Sequence, residues 1–209
     1  MRLLFLVTAL LLVQHTRLFP PDQLAVLEGP DRDGWQRPDQ IMDALGIGEG
    51  SVVADVGAGG GWFTVRLSRQ VGPNGLVYAE DIQQPMIDAI TRRVDREPVH
   101  NVHTVLGTPV DPKLPAGAID AVLIVDAYHE MEEPKTLLAN VAKALKPTGV
   151  IGIVDFKRDG GGPGPSIDER VDPEKVIADA RAAGLELRKR ENFLRYQYLL
   201  IFGLSAAPE

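Results

Sequence analysis

The sequence of 209 residues contains no cysteine, and this absence removes several kinds of chemistry. Without a thiol the chain has no disulfide, no thiolate metal site and no cysteine nucleophile. Positive charge is also in short supply, with 22 Lys and Arg residues against 29 Asp and Glu residues and a formal net charge of −7. No block of basic residues compensates locally, so the composition disfavours a nucleic acid as partner or substrate.

Long apolar runs are absent as well. The N-terminal stretch Leu3–Val13 is apolar over eleven residues and follows a basic start. A bilayer span needs roughly 20 such residues, so the stretch resembles the apolar region of a secretory signal more than a membrane helix. It predicts an exported or membrane-anchored protein, and a cytoplasmic protein with an N-terminal helix packed on the domain is the alternative.

The remaining composition is that of a soluble globular protein, with 44% hydrophobic and 24% charged residues. The length favours one domain with a full core. We expect a leader over 1–17, an irregular lead-in rich in proline, glycine and aspartate over 18–34, and the folded domain over 35–209.

The central stretch of the chain is 51–61, with the sequence SVVADVGAGGG. Its first half, Val52–Val56, is typical of a strand buried on both faces. A glycine cluster follows, and Trp62–Val71 then has the pattern of an amphipathic helix. Strand, glycine turn and helix form the first half of a nucleotide-binding unit, because a ligand approaches bare backbone only where no Cβ blocks it.

The pattern then repeats along the chain. Apolar strands are predicted near 75–81, 102–106, 119–125 and 150–154, separated by helices, which indicates a parallel sheet covered on both faces. Two strands near 185–190 and 196–202 are joined by a connection too short for a parallel crossover, so they form an antiparallel hairpin. The sequence therefore predicts an α/β fold with three layers, a Rossmann-like sheet of seven strands, five of them parallel.

Several motifs resemble those of class I S-adenosylmethionine-dependent methyltransferases. Residues 55–61 match D-x-G-x-G-x-G rather than the dinucleotide pattern G-x-G-x-x-G, since Trp62 stands where the third glycine would be. Residues 81–86 match D-[I/V]-x-x-x-M, and 145–149 are similar to the L-K-P-G-G turn. The resemblance covers about 35–203. It implies S-adenosyl-L-methionine as cofactor and direct methyl transfer to a small molecule, closest to the branch that includes quinone biosynthesis.

A carboxylate before the glycines would repel a pyrophosphate, so Asp55 suits a ligand that carries a cation. The acid after the second strand accepts the ribose hydroxyls in this kind of site, and Asp81 is favoured over Glu80 for that role. The family often places an acid after the third strand to meet adenine, where this chain has Thr108 instead. The residues expected to bind the cofactor are Asp55, Gly57, Ala58, Gly59, Gly61, Glu80, Asp81, Ile82, Thr108 and Asp126.

The segment after the fourth strand, DAYHE, is expected to face the reactive methyl group. His129 is a candidate general base there, with a contact to substrate or a structural role as alternatives, and Tyr128 is a second candidate catalytic residue. Asp155 and the loop 157–167, which has the composition of a flexible segment, are expected to line or shape the acceptor pocket. No histidines and carboxylates have metal-ligand spacing, so no metal site is expected.

Two other functions remain open from the sequence. A catalytically silent protein that binds S-adenosylmethionine would bind the cofactor and transfer no methyl group. An NAD(P)-dependent oxidoreductase would bind a nicotinamide cofactor instead, although the glycine spacing is against it.

Overall fold

A computed structural model describes residues 18–159 and 161–206 of the chain. The leader predicted over 1–17 lies outside the described residues. Within them, no helix has both the length and the apolar character needed to cross a membrane.

Seven strands form one sheet in the order β3-β2-β1-β4-β5-β7-β6. The strands β1 to β5 run parallel, and β7 pairs antiparallel with both β5 and β6. This confirms the predicted seven-stranded sheet with its C-terminal hairpin. The strands are β1 Val52–Val56, β2 Leu76–Asp81, β3 Val102–Leu106, β4 Ile119–Val125, β5 Leu145–Phe156, β6 Leu185–Glu191 and β7 Gln197–Leu204.

Among the described residues, six α-helices cover the two faces of the sheet. Most begin with proline in the first turn, where the missing N–H has no intrahelical partner to lose. They are α1 Arg32–Gln36, α2 Pro38–Ala44, α3 Trp62–Val71, α4 Gln84–Val94, α5 Pro134–Ala144 and α6 Pro173–Ala182, with 3-10 helices at Pro21–Glu28 and Tyr128–Glu130.

The core is divided between the two faces of the sheet. On one face α2 and α3 pack their apolar side chains on β1, β4 and β7, and α4 packs on β2. On the other face α5 and α6 pack on β1, β4, β5 and β7. Because β1 and β2 are parallel neighbours, the residues at their C-terminal ends lie side by side at the same edge of the sheet.

The lead-in over 18–34 differs from the expectation of irregular chain. It contains the 3-10 helix Pro21–Glu28 and most of α1. Its sequence has no apolar periodicity, and the 3-10 helix contains no buried residue, so periodicity alone could not reveal it.

Candidate functional site: a cleft at the carboxyl edge of the sheet

A cavity of about 160 Å³ lies at the carboxyl ends of β1, β2 and β4, where open α/β sheets bind their ligands. Loops that follow these strands form its floor, and the lead-in forms its other wall. The lining residues are Leu18, Phe19, Leu24, Leu27, Glu28, Arg32, Asp55, Val56, Gly57, Ala58, Gly59, Gly60, Trp62, Phe63, Glu80, Asp81, Ile82, Gln83, Met86, Thr108, Pro109, Val125, Asp126, Ala127, Glu130, Met131, Glu132 and Leu137.

The glycine loop presents bare backbone to this cavity. Gly57 and Gly59 have φ values of 72° and 55°, in the left-handed region that favours glycine. A Cβ built on Gly57 would lie 2.6 Å from the Cβ of Ala127. Glycine is therefore required at Gly57 by its conformation and by the close approach of the loop after β4.

Asp55 ends the apolar run of β1 as a buried acid, only 2% exposed. Its Oδ2 accepts a hydrogen bond of 2.7 Å from the hydroxyl of Thr64, on the first turn of α3. Burial raises the pKa of Asp55 to about 6, and the Thr64 hydrogen bond and Arg32 oppose that rise. The carboxylate is thus fixed at the start of the glycine loop, ready to interact with a cation.

Two acids end β2, and both interact with the glycine loop. Asp81 accepts hydrogen bonds from the backbone N–H of Gly59 at 3.0 Å and of Gln83 at 2.9 Å. Glu80 Oε2 accepts from the N–H of Gly57 at 3.3 Å. Glu80 Oε1 is buried and has no hydrogen-bond partner among the described residues. Burial raises the pKa of Glu80 to about 8 and also raises that of Asp81.

A buried polar network closes the end of the cavity beside β4. The Nη2 of Arg32 lies 3.4 Å from Oδ2 of Asp126, and Gln197 donates to the other oxygen of that carboxylate. Gln36 links the two, since it accepts from Arg32 and donates to Gln197. Burial raises the pKa of Asp126 to about 7. Its φ of 55° is rare for a residue with a side chain, and such strain is concentrated at functional sites.

We call residues 18–36 the roof, because they cover the glycine loop and the ends of β2 and β4. The backbone of Phe19 is held from two sides, since its N–H donates to Oε2 of Glu130 at 2.8 Å and its carbonyl accepts from Gln83 at 3.1 Å. Leu24 lies over Gly60, and Glu28 pairs with Arg93 of α4. Pockets that bury an organic ligand usually measure about 300 Å³ or more, so the cavity beneath the roof is smaller than such a pocket.

The structure brings together nine of the ten predicted cofactor residues. These line one cavity and are Asp55, Gly57, Ala58, Gly59, Glu80, Asp81, Ile82, Thr108 and Asp126. Gly61 is the exception. It precedes α3 with a φ of 78°, and a Cβ there would meet Ile90 and Arg93 of α4 rather than the cavity. Gly60 lines the cavity in its place.

Tyr128, the second candidate catalytic residue, also lies outside the cavity lining. Its ring is 2% exposed within the core beneath α5 and α6, and its hydroxyl donates to Asp179 of α6 at 2.9 Å. Burial and the neighbouring carboxylate raise its pKa well above the usual value. The side chain points away from the cavity, because it lies on the opposite face of the sheet from Asp55, and its role is packing.

His129 lies behind the cavity wall and is not among the lining residues. Its Nδ1 is 3.0 Å from Oδ1 of Asp155, and its backbone N–H donates to the same carboxylate. Its Nε2 is 3.8 Å from Oε1 of Glu130, which does line the cavity. Burial lowers the pKa of His129, but the hydrogen bond and charge of Asp155 outweigh it, so the pKa is raised overall. Asp155 is fully buried and holds the histidine instead of lining the acceptor side.

The loop after β5 also differs from its expected role. Its described residues do not line the cavity, and the buried guanidinium of Arg170 fixes the loop by donating to four of its backbone carbonyl groups. These carbonyls belong to Lys157, Gly161, Pro163 and Pro165. The glycines allow close packing, since a Cβ on Gly164 would lie 2.6 Å from the ring of Phe156.

In the described part of the chain, no group of three or more His, Asp or Glu side chains is placed to hold a metal ion.

A sequence profile of the methyltransferase domain matches residues 53–149, from β1 into β5. Among solved structures, a SAM dependent methyltransferase from Aquifex aeolicus has a TM-score of 0.84 to this chain at 26% identity, and the match covers 88% of this chain and 98% of the other. The chain is thus similar in sequence and fold to S-adenosylmethionine-dependent methyltransferases. The glycine loop and the order of the motifs agree with that similarity.

Two curated methyltransferases are similar over part of their length. Nocamycin O-methyltransferase of Saccharothrix syringae is 30% identical over 130 residues, which are 62% of this chain and 45% of that protein. A ubiquinone/menaquinone biosynthesis C-methyltransferase of Pasteurella multocida is 30% identical over 130 residues, 59% of this chain and 46% of that protein. The chain thus spans about half the length of the curated relatives that it matches.

Sequence reasoning missed the part of the site that comes from the roof. Phe19, Leu24 and Arg32 line the cavity, as do Gln83 and Glu130. Gln83 and Glu130 each stand next to or within a motif that the sequence singled out, so position after a strand could have identified them. Arg32 lies in a segment whose composition predicts only loop, and the sequence carries no signal for its burial.

Proposed function

We propose that the chain transfers the methyl group of S-adenosyl-L-methionine to a small-molecule acceptor by direct in-line displacement. One observation carries the proposal: the exposed backbone of the glycine loop and the carboxylates of Asp55 and Asp81 share a single cavity. A ligand that fits them has a ribose for Asp81 and a cationic group for the end near Asp55.

The residues present fit this cofactor. Seven acids line the cavity with one arginine among the described residues, so a sulfonium cation is favoured there and a pyrophosphate is repelled. The same balance argues against NAD(P). The seven acids are Glu28, Asp55, Glu80, Asp81, Asp126, Glu130 and Glu132.

The adenosine end is assigned to the loops after β2 and β3. Asp81 stands where the ribose hydroxyls would be accepted, and Ile82 and Thr108 line the neighbouring wall. The unpartnered Oε1 of Glu80 is a further polar atom on this side. A buried polar atom without a partner is costly, so a hydrogen bond from the nucleoside would relieve it.

The cofactor supplies a methyl group activated by a positively charged sulfur. The protein contributes mainly by holding the acceptor nucleophile in line with that methyl group, because orientation alone lowers such barriers by several kcal/mol (about 7–11 in favourable cases). The remaining wall of the cavity is apolar, from Leu18, Leu27, Met131 and Leu137. This favours an acceptor with an apolar body, and the two curated relatives are an O-methyltransferase and a quinone C-methyltransferase.

We propose His129 and Glu130 as the route for a proton from an acceptor that must lose one. Glu130 lies in the cavity wall, His129 lies behind it, and Asp155 orients the imidazole. His129→Ala is expected to leave the affinity for S-adenosylhomocysteine within about 2-fold while lowering turnover by about 10²–10⁴-fold. His129→Gln, which keeps a polar group near Asp155, serves as control. Unchanged turnover in both variants would remove the histidine from the mechanism.

The function is tested with the purified chain in two steps. Calorimetry with S-adenosylhomocysteine and with NADH identifies the cofactor, and we expect binding of the first alone. Transfer of labelled methyl from S-adenosylmethionine is then measured over phenols, quinols and other small acceptors. Binding with no transfer to any acceptor would favour a silent binding protein, and binding of NADH alone would favour an oxidoreductase.

The N-terminal leader is a separate proposal, since residues 1–17 lie outside the described part. We propose that it exports or anchors the protein. Fractionation of cells that express the full chain tests this, and a protein found only in the cytoplasm would contradict it.

A further inference from the structure

Arg32 is a buried cation that the cavity holds at one end. It lies on the short helix α1, in the roof, and is 8% exposed. Its guanidinium carbon is 4.2 Å from the centre of the Trp62 ring, at the start of α3. A side chain of this kind is seldom buried without a partner for its charge, so its partners decide what it does.

Those partners leave part of its hydrogen-bonding capacity unused. A guanidinium carries five N–H donors. Nε donates to Gln36 at 2.9 Å and Nη1 donates to the carbonyl of Leu27 at 2.7 Å. The contact of Nη2 with Asp126 is 3.4 Å, beyond the usual hydrogen-bond length. Within the described residues, two N–H donors therefore have no acceptor and a third is weakly used.

Two carboxylates lie near the guanidinium of Arg32, and the three groups together indicate which ligand the cavity fits. Arg32 interacts electrostatically with Asp126, the first residue after β4, and with Asp55, near the end of β1. The loops after these two strands enclose the bare backbone at Gly57. A cation beside two carboxylates, over one short stretch of cavity wall, complements an α-amino acid, whose ammonium and carboxylate are two bonds apart through the same carbon.

We infer that Arg32 binds the carboxylate of the methionyl part of the cofactor, while Asp55 and Asp126 attract its ammonium group. This rests on the proposed function and adds to it a residue that selects the ligand. Arg32 distinguishes a nucleoside that carries a complete amino acid from one that lacks the carboxylate. Since Arg32 belongs to the roof, the bound carboxylate also holds the roof closed.

The test compares three nucleosides by calorimetry with the full chain. S-adenosylhomocysteine has the whole amino acid, its decarboxylated analogue keeps the ammonium only, and 5′-methylthioadenosine has neither. In the wild-type protein we expect S-adenosylhomocysteine to bind at least 10-fold more tightly than the decarboxylated analogue. Arg32→Gln should reduce that ratio to within 3-fold of unity and leave affinity for 5′-methylthioadenosine within 3-fold of the wild-type value.

Arg66→Gln is the matched control. Arg66 also stacks on the Trp62 ring, at 3.5 Å, but it does not line the cavity, so this change should preserve the ratio. If Arg32→Gln weakens all three nucleosides equally, Arg32 only supports the roof and the inference is wrong. If the variant does not fold, the wild-type ratio decides, since equal affinities for the first two ligands overturn the inference. A wild-type protein that binds none of the three contradicts the proposed function itself.

Discussion

At the scale of single residues, the two acids that end β2 have different roles. Asp81 uses both carboxylate oxygens on backbone N–H groups, whereas Glu80 leaves one oxygen without a partner among the described residues. Asp81 therefore orders the glycine loop and is also placed to meet a ribose. Glu80 is buried beside Gly107, where a Cβ would overlap its Oε1, so the glycine after β3 provides the space for it.

Asp81→Ala should weaken binding of S-adenosylhomocysteine by about 1–3 kcal/mol, or roughly 5- to 150-fold, because ribose hydroxyls and the N–H of Gly59 lose their acceptor. Asp81→Asn keeps one oxygen acceptor and should lose less. Calorimetry measures both. An unchanged affinity in the alanine variant would assign the ribose to another residue.

Glu80 makes stability depend on pH. Burial raises its pKa in the folded chain to about 8 from the ordinary value of 4.5. For a raised acid, the folded state is favoured while the group is protonated. That stability is lost as pH increases from about 4.5 through about 8. Between pH 6 and pH 9 the wild-type free energy of unfolding should therefore fall by about 2 kcal/mol more than that of Glu80→Gln.

Denaturant titrations at the two pH values measure this difference. Asp55 and Asp126 also have raised pKa values, and both are present in the variant, so their contribution cancels in the comparison. An identical pH dependence of the two proteins would show that Glu80 ionises freely.

At the scale of the elements, the loop after β5 is held by one side chain. Arg170→Ala removes a charged donor from four backbone carbonyls. We expect the free energy of unfolding to fall by about 2–3 kcal/mol and hydrogen exchange over 161–165 to become faster. Arg170→Lys keeps the charge without the planar set of donors and should be intermediate. Unchanged exchange in the alanine variant would mean that the glycine packing alone fixes the loop.

The sequence predicts elements well where one strong pattern dominates. The predicted strands and α3 follow from apolar runs and from glycine or proline at their ends, although β5 begins at Leu145, before the predicted 150–154. The sequence does not predict how polar side chains choose partners far along the chain. The roof depends on such contacts, for example Phe19 with Glu130, which are 111 residues apart. Gly61 and Tyr128 lie outside the cavity lining for a related reason. A motif gives the position of a residue but not the direction of its side chain.

At the scale of the whole molecule, ligand binding and stability are coupled, because the cavity is formed by parts distant in the sequence. S-adenosylhomocysteine at 100 times its dissociation constant should stabilise the folded chain by about 2.7 kcal/mol. For a chain of this size that raises Tm by about 5–10 °C. Thermal scans at increasing ligand concentration measure it, with adenosine as the weaker control. A Tm independent of the ligand would contradict binding to the folded state.

The roof has a kinetic consequence. Because Phe19 is held on both sides of the cleft by Glu130 and Gln83, we expect those two hydrogen bonds to separate before a nucleoside enters. The observed rate of association should then level off at high nucleoside concentration, at the speed with which the closed form opens. Tight binding and slow exchange of the product would arise from the same few contacts.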